Sequence, residues 1–185
     1  MAYIDLGSDL PGVTGLLEYR KDTGDHLREL TQLLLRGPST LTAGERELIA
    51  TVVSNANQCT YCTTSHAAAA DAYVDGNVKL SDAVRRDYLQ APISDKMKSL
   101  LTIALHVQES GTSVTSDDIA HAKSVGASDR EIHDTVMIAA LFCFYNRYVD
   151  GLGTYAPTDP EYYRSMAIRL RDNGYGRPPG GYSQS

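Results

Sequence analysis

Four residues of this chain combine the types and spacing needed for redox and proton-transfer chemistry: Glu47, Cys59, Cys62 and His66. In Cys59-Thr60-Tyr61-Cys62, followed by His66, a helix at about 100° per residue places positions 59, 62 and 66 within a sector of roughly 60°. Two sulfurs three residues apart at a helix start can close a disulfide. The free N–H groups and positive dipole end there stabilise a thiolate, so a lowered thiol pKa is expected. His66, one turn after Cys62, can take up or return the thiol proton. Tyr61 stands between the cysteines as an access gate, a hydrogen-bond donor or a packing residue.

Glu47 belongs to the preceding helical stretch, which is apolar nearly all round through Leu48, Ile49, Ala50, Val52, Val53 and Ala56 and so reads as buried. Its stripe also holds Ala50, Thr51 and Ser54, small enough to let another helix approach. A carboxylate kept from water there should have a raised pKa and serve as a general base near neutral pH. The competing reading leaves Glu47 as a surface acid on the one stripe its helix exposes.

These residues need helices to position them, and capping signals recur along the chain. Thr23 precedes Leu27, Leu30, Leu33 and Leu34, in a helix that stops near Gly37-Pro38. Thr42 with Glu45 forms a capping box for a helix through about Asn57. A third helix opens near Cys59 and runs to Val74 with Gly76 at its end, and Ser81 begins a short fourth that Pro92 halts. Ser94, Thr115 with Asp118, and Ser128 with Glu131 open three more, and Pro160 fits the first turn of the last. Period-2 alternation is missing throughout, so the fold class is all-α, a multi-helix orthogonal bundle. The domain layout read from this is an N-terminal arm (1–22), a helical domain (23–173, with the CxxC core at about 40–76) and an irregular tail (174–185). That tail either hangs free or lies across a neighbouring subunit.

Composition limits the function classes. The 185 residues include 42% hydrophobic and 22% charged, as in an ordinary water-soluble domain. A net charge of −6 without clustered Lys and Arg argues against nucleic-acid binding. The most apolar run, Val136 to Tyr145, falls short of the roughly 20 residues a bilayer span needs, so no membrane contact is expected. The first eleven residues lack the apolar core of a signal peptide, which points to the cytoplasm. Thiols are kept reduced there, and a close cysteine pair is more often catalytic or metal-binding than structural.

Glu47, eleven intervening residues and Cys59-x-x-Cys62-x-x-x-His66 resemble the signature of the alkyl hydroperoxidase D family, within the carboxymuconolactone decarboxylase superfamily. Arg46-Glu47-Leu48-Ile49-Ala50, Ser65-His66-Ala67-Ala68, the stretch Gly126 to Ile132 and Asn146-Arg147 before Asp150-Gly151-Leu152-Gly153 fit as well. The extended C-terminus resembles the peroxidase-related branch. The resemblance implies an AhpD-like helical fold, a homo-oligomer (dimer, trimer or hexamer) and hydroperoxide reduction through a Cys59/Cys62 disulfide. It also implies a proton relay of Glu47 and His66. One position departs: well-studied members carry a histidine just before the second cysteine, where this chain has Tyr61, which removes one relay member.

On this reading Cys62, beside His66, attacks the peroxide, and Cys59 is the more exposed sulfur for exchange with the reductant. No bound cofactor or metal is expected; an external dithiol, a lipoyl group or a thioredoxin-like protein, returns the electrons. Three alternatives stand beside it. The same residues could make a dithiol–disulfide oxidoreductase or redox sensor without peroxidase turnover. Lactone decarboxylation has no need of two adjacent thiols. A zinc-binding interaction protein using Cys59, Cys62 and His66 would need a fourth ligand. Cys143, His26, His106, His121 and His133 read as packing or surface residues, and Asn146 and Arg147 as an ion-pair or interface contact.

Overall fold

In the computed structural model, which describes residues 2–74 and 79–182, helices begin where side chains satisfy the free N–H groups of a first turn. Thr42–Glu45, Thr115–Asp118 and Ser128–Glu131 form complete capping boxes, and Ser94 accepts from the backbone N–H of Met97. Among the described residues these starts give nine α-helices, one 3-10 turn at Gly111–Ser113 and no strand. The helices are α1 (Gly12–Tyr19), α2 (Lys21–Arg36), α3 (Ala43–Ala56), α4 (Thr60–Asp71), α5 (Leu80–Asp87), α6 (Asp95–Glu109), α7 (Ser116–Ser124), α8 (Asp129–Gly151) and α9 (Pro160–Asn173). Three starts differ from expectation, one of them α5, which opens at Leu80 with Lys79 as N-cap while the Ser81 hydroxyl donates to Asp71 instead of capping it. The segment read as an arm contains α1, and α2 opens at Lys21, with the Thr23 hydroxyl donating to the Arg20 carbonyl inside the first turn. The third helix ends at Asp71, before Val74, while Gly76 lies outside the described residues.

The apolar circumference of α3 is explained by its place. Every residue from Arg46 to Ser54 is buried. Leu48, Ile49, Ala50, Val52 and Val53 join Leu100, Leu101, Ile103 and Ala104 of α6 and Ile138, Ala139 and Phe142 of α8 in one core cluster. Each fully buried Leu, Ile or Phe contributes about 1.5–3 kcal/mol, so this cluster holds α3 as the central element. A second, smaller cluster contains Leu16, Cys59, Tyr61, Cys62, Val149 and Tyr163, from α1, the start of α4, the end of α8 and α9. The candidate cysteines therefore sit in an apolar layer covered by the two ends of the chain. No helix among the described residues is long and apolar enough to cross a membrane.

Candidate active site

The turn joining α3 to α4 fixes the first cysteine. Gln58 adopts the left-handed conformation at φ 59°, its N–H bonds the Asn55 carbonyl at 3.0 Å, and the Cys59 N–H bonds the Ser54 carbonyl at 3.1 Å. This is a Schellman closure of α3, and the residue that completes it, Cys59, is at once the N-cap of α4. With ψ at 100° Cys59 is not in helical register, so only Cys62 and His66 share the helix face predicted for all three. Both thiols are free. Cys59 is 0% exposed and Cys62 2%, which overturns the expectation that Cys59 is the more exposed partner: the turn folds it under Leu16, Val149 and Tyr163.

The Cys62 thiol does not have the lowered pKa expected of a helix start. Its hydrogen bond with Cys59, then burial, push it well above the ordinary thiol value, and the Asn146 amide pulling downward does not offset them. The Cys59 hydrogen bond favours the protonated thiol and burial disfavours the charged thiolate, and together they outweigh the helix-terminal dipole. Forming a thiolate here therefore calls for a base.

A histidine with the chemistry of such a base stands on α4, tied to a carboxylate of α3. His66 Nδ1 lies 2.7 Å from Glu47 Oε2, with Glu47 fully buried, so Glu47 is not a surface acid. The pKa expected for Glu47 is also overturned. Burial pushes it up, as predicted, but the hydrogen bond and charge of His66, the charge of Arg36 and the hydrogen bond from Tyr175 together bring it below the ordinary carboxylate value. Arg36 Nη2 is 2.5 Å and the Tyr175 hydroxyl 2.6 Å from Oε1. Glu47 is thus an ionised anchor: it accepts Nδ1–H and leaves His66 Nε2, which has no hydrogen-bond partner among the described residues, as the nitrogen able to accept a proton.

Cys62, Ser65, His66, Phe142, Tyr145 and Tyr175 line one cavity of about 70 Å³, with Leu17, Met166 and Leu170 among its apolar walls. Cys59 is not among its lining residues. The Phe142 ring meets His66 edge-on at 4.4 Å and fixes the imidazole plane. The buried Ser65 hydroxyl has no partner among the described residues.

Tyr61 plays no part in the His66–Glu47 contact. Its hydroxyl lies 3.4 Å from Thr14 Oγ1 and 3.5 Å from the Tyr162 hydroxyl, and its ring packs directly on Gly12. At φ 53°, Gly12 could not carry a side chain without strain, and an added Cβ would run into that ring. Asn146 accepts from Asn57 at 2.8 Å and donates to Ser54 at 3.0 Å, which sets its amide beside Cys62; Arg147 instead bonds the Cys143 carbonyl at the surface.

Sequence reasoning brought together Glu47, Cys62 and His66 and missed Arg36 and Tyr175. Arg36 ends its helix before Gly37-Pro38, where a basic residue is explained by the helix dipole alone. Tyr175 is one of twelve tyrosines, in a Gly- and Pro-rich tail, with nothing local to single it out.

The model of the carboxymuconolactone decarboxylase family matches residues 21–75, the stretch that carries Arg36, Glu47, both cysteines and His66. Among solved structures, the chain is similar to the alkylhydroperoxidase AhpD core of an uncharacterized peroxidase-related protein from Ralstonia eutropha JMP134. The identity is 28%, covering 85% of this chain and 81% of that one, with a TM-score of 0.75. It is also similar to an uncharacterized peroxidase-related protein from Silicibacter sp. TM1040, at 25% identity over 85% and 80% of the two chains and a TM-score of 0.75. No curated protein matches it.

Proposed function

From the premise that this chain belongs to the AhpD-like carboxymuconolactone decarboxylase superfamily, we propose that it reduces hydroperoxides through a Cys59/Cys62 dithiol–disulfide cycle. The observation that carries this reading is the single cavity onto which Cys62 and His66 open together, with Glu47 holding the far side of the imidazole. His66 Nε2 takes the Cys62 proton, directly or through a water. The thiolate attacks the outer peroxide oxygen, the O–O bond breaks, and the alkoxide leaves as the alcohol with the proton His66 returns. Cys62 is then a sulfenic acid; the Cys59 sulfur attacks it, water departs and the disulfide forms. Two electrons from an external dithiol restore both thiols.

Burial of both sulfurs bears on the reductant. A lipoyl group on a slender arm fits a small cavity better than the broad surface of a thioredoxin-like protein, so the lipoyl type is the partner proposed. The same burial weighs against general exchange with protein disulfides. The proposal includes a homo-oligomer, as the family resemblance implies, and a cytoplasmic setting in which the thiols are kept reduced.

A stoichiometric dose of an organic hydroperoxide should lower the free thiols from three to one, reversibly with dihydrolipoamide. Cys62→Ser should abolish peroxide consumption, and Cys59→Ser should accumulate a sulfenic acid trapped by a dimedone probe. Three surviving thiols after the dose would overturn the reading; the opposite pattern in the two variants would reverse the order of attack.

A further inference from the structure

We propose that Tyr175 is a positioning residue of the proton relay, carried to the site by the C-terminal segment, where its hydroxyl holds one oxygen of Glu47 while the other stays on His66. The inference rests on the hydroperoxide-reductase reading and adds a group from a part of the chain 128 residues from Glu47. The Tyr175 hydroxyl donates to Glu47 Oε1 at 2.6 Å and lies 3.4 Å from His66 Nδ1, and its ring stacks on the imidazole at a 14° interplanar angle. Burial and the Glu47 charge push the Tyr175 pKa well above the ordinary tyrosine value, so the hydroxyl keeps its proton and remains a donor. Glu47 then cannot rotate to offer Oε1 to His66, and the imidazole is fixed with Nδ1–H on Oε2 and Nε2 available toward Cys62.

The segment is built to deliver this side chain. Gly174 ends α9 at φ 69°, and an added Cβ would run into the Gln32 side chain, so a glycine is required there. The next residue's N–H donates to Gln32 Oε1 at 2.7 Å, the Arg36 guanidinium lies 5.0 Å from the Tyr175 ring centroid, and Arg177 pairs with Glu18 at 2.6 Å. These contacts tie the tail to α1 and α2 on both sides of Tyr175. The family resemblance places a relay histidine at position 61, but Tyr61 turns to Thr14 and Tyr162. The aromatic hydroxyl that reaches Glu47 and His66 is Tyr175.

The titratable and charged groups facing the Glu47 carboxylate are Arg36 from α2, His66 from α4 and Tyr175 from the tail, with Tyr73 just after α4 and Arg46 on its own helix acting at longer range. Tyr175→Phe removes one donor to the carboxylate and keeps the ring. The test follows the Glu47 carboxyl by carbon NMR as pH is lowered, in the full-length protein and in Tyr175→Phe. With one lowering hydrogen bond gone, the Glu47 carboxyl step should move to higher pH in the variant. The acid limb of thiol loss with cumene hydroperoxide should move up with it. A chain truncated after Asn173 should give the same shift.

Coincident titrations for the full-length protein and Tyr175→Phe would overturn the proposal, as would a shift in the truncated chain alone, which would assign the tail a packing role. Should the full-length protein fail to lose thiols, the peroxidase reading falls, while the NMR titration still decides the place of Tyr175.

Discussion

At the residue scale, the site is organised around a buried ion network. Glu47 is wholly enclosed yet ionised, because His66, Arg36 and Tyr175 together outweigh the cost of burying it. Removing one partner of such a network is harmful in two ways. Glu47→Gln leaves the partly enclosed Arg36 guanidinium poorly compensated, at a cost of about 1–3 kcal/mol once solvent screening is allowed for. It also removes the acceptor that sets the His66 tautomer, so peroxide-driven thiol loss should slow by about 100-fold, the lower end of what a positioned acid–base group contributes. Stopped-flow thiol counting together with chemical denaturation would read both effects. A variant equally stable and within threefold of the parent rate would show that Glu47 is not the anchor. The contact of His66 with Glu47 and the shared face of Cys62 and His66 were legible because their separations are local and match a helix and its neighbour. The direction of the Glu47 pKa was not, because Arg36 comes from a third helix and Tyr175 from the far end of the chain.

At the scale of elements, helix starts were far more legible than helix surroundings. Thr42, Ser94, Thr115 and Ser128 cap the helices expected of them because capping depends on residues three positions apart. The opening of α2 was not legible, since no side chain caps it and Arg20 serves only through its backbone. Nor was the register of Cys59, because a non-glycine in the left-handed region gives no composition signal. That residue, Gln58, stands at φ 59°, where a side chain costs about 1 kcal/mol that glycine avoids. Gln58→Gly should therefore raise the melting temperature by roughly 2–4 °C while leaving the thiol count after hydroperoxide unchanged. A lowered melting temperature would mean that the Gln58 side chain stabilises the turn through contacts of its own.

At the scale of the whole molecule, the centre is tied together by a carboxylate remote from the cysteines. Glu131 Oε2 completes the capping box of α8, while Oε1 accepts from Lys96 of α6 at 2.8 Å and from Thr40, ahead of α3, at 2.8 Å. One side chain thus joins two helices and a loop. Its capping role was legible from Ser128, but the two distant donors were not, since neither has a fixed sequence offset. Burial pushes the Glu131 pKa up, but the Lys96, Ser128 and Thr40 bonds prevail and hold it at about 2, against 4.5 for a free glutamate. A group whose folded pKa is depressed stabilises the fold fully above its unfolded value and loses that contribution as pH falls through the folded value. The window for this molecule therefore runs from about pH 4.5 down to about 2. Allowing for solvent screening, the loss attributable to Glu131 is about 1–2 kcal/mol. Urea unfolding between pH 7 and pH 2.5 should show the parent losing stability across this window. Glu131→Gln should start lower at pH 7 and lose less on acidification, since it has no carboxyl to protonate. Parallel curves for parent and variant would show that the ionised carboxylate contributes nothing to joining α6, α8 and the Thr40 loop.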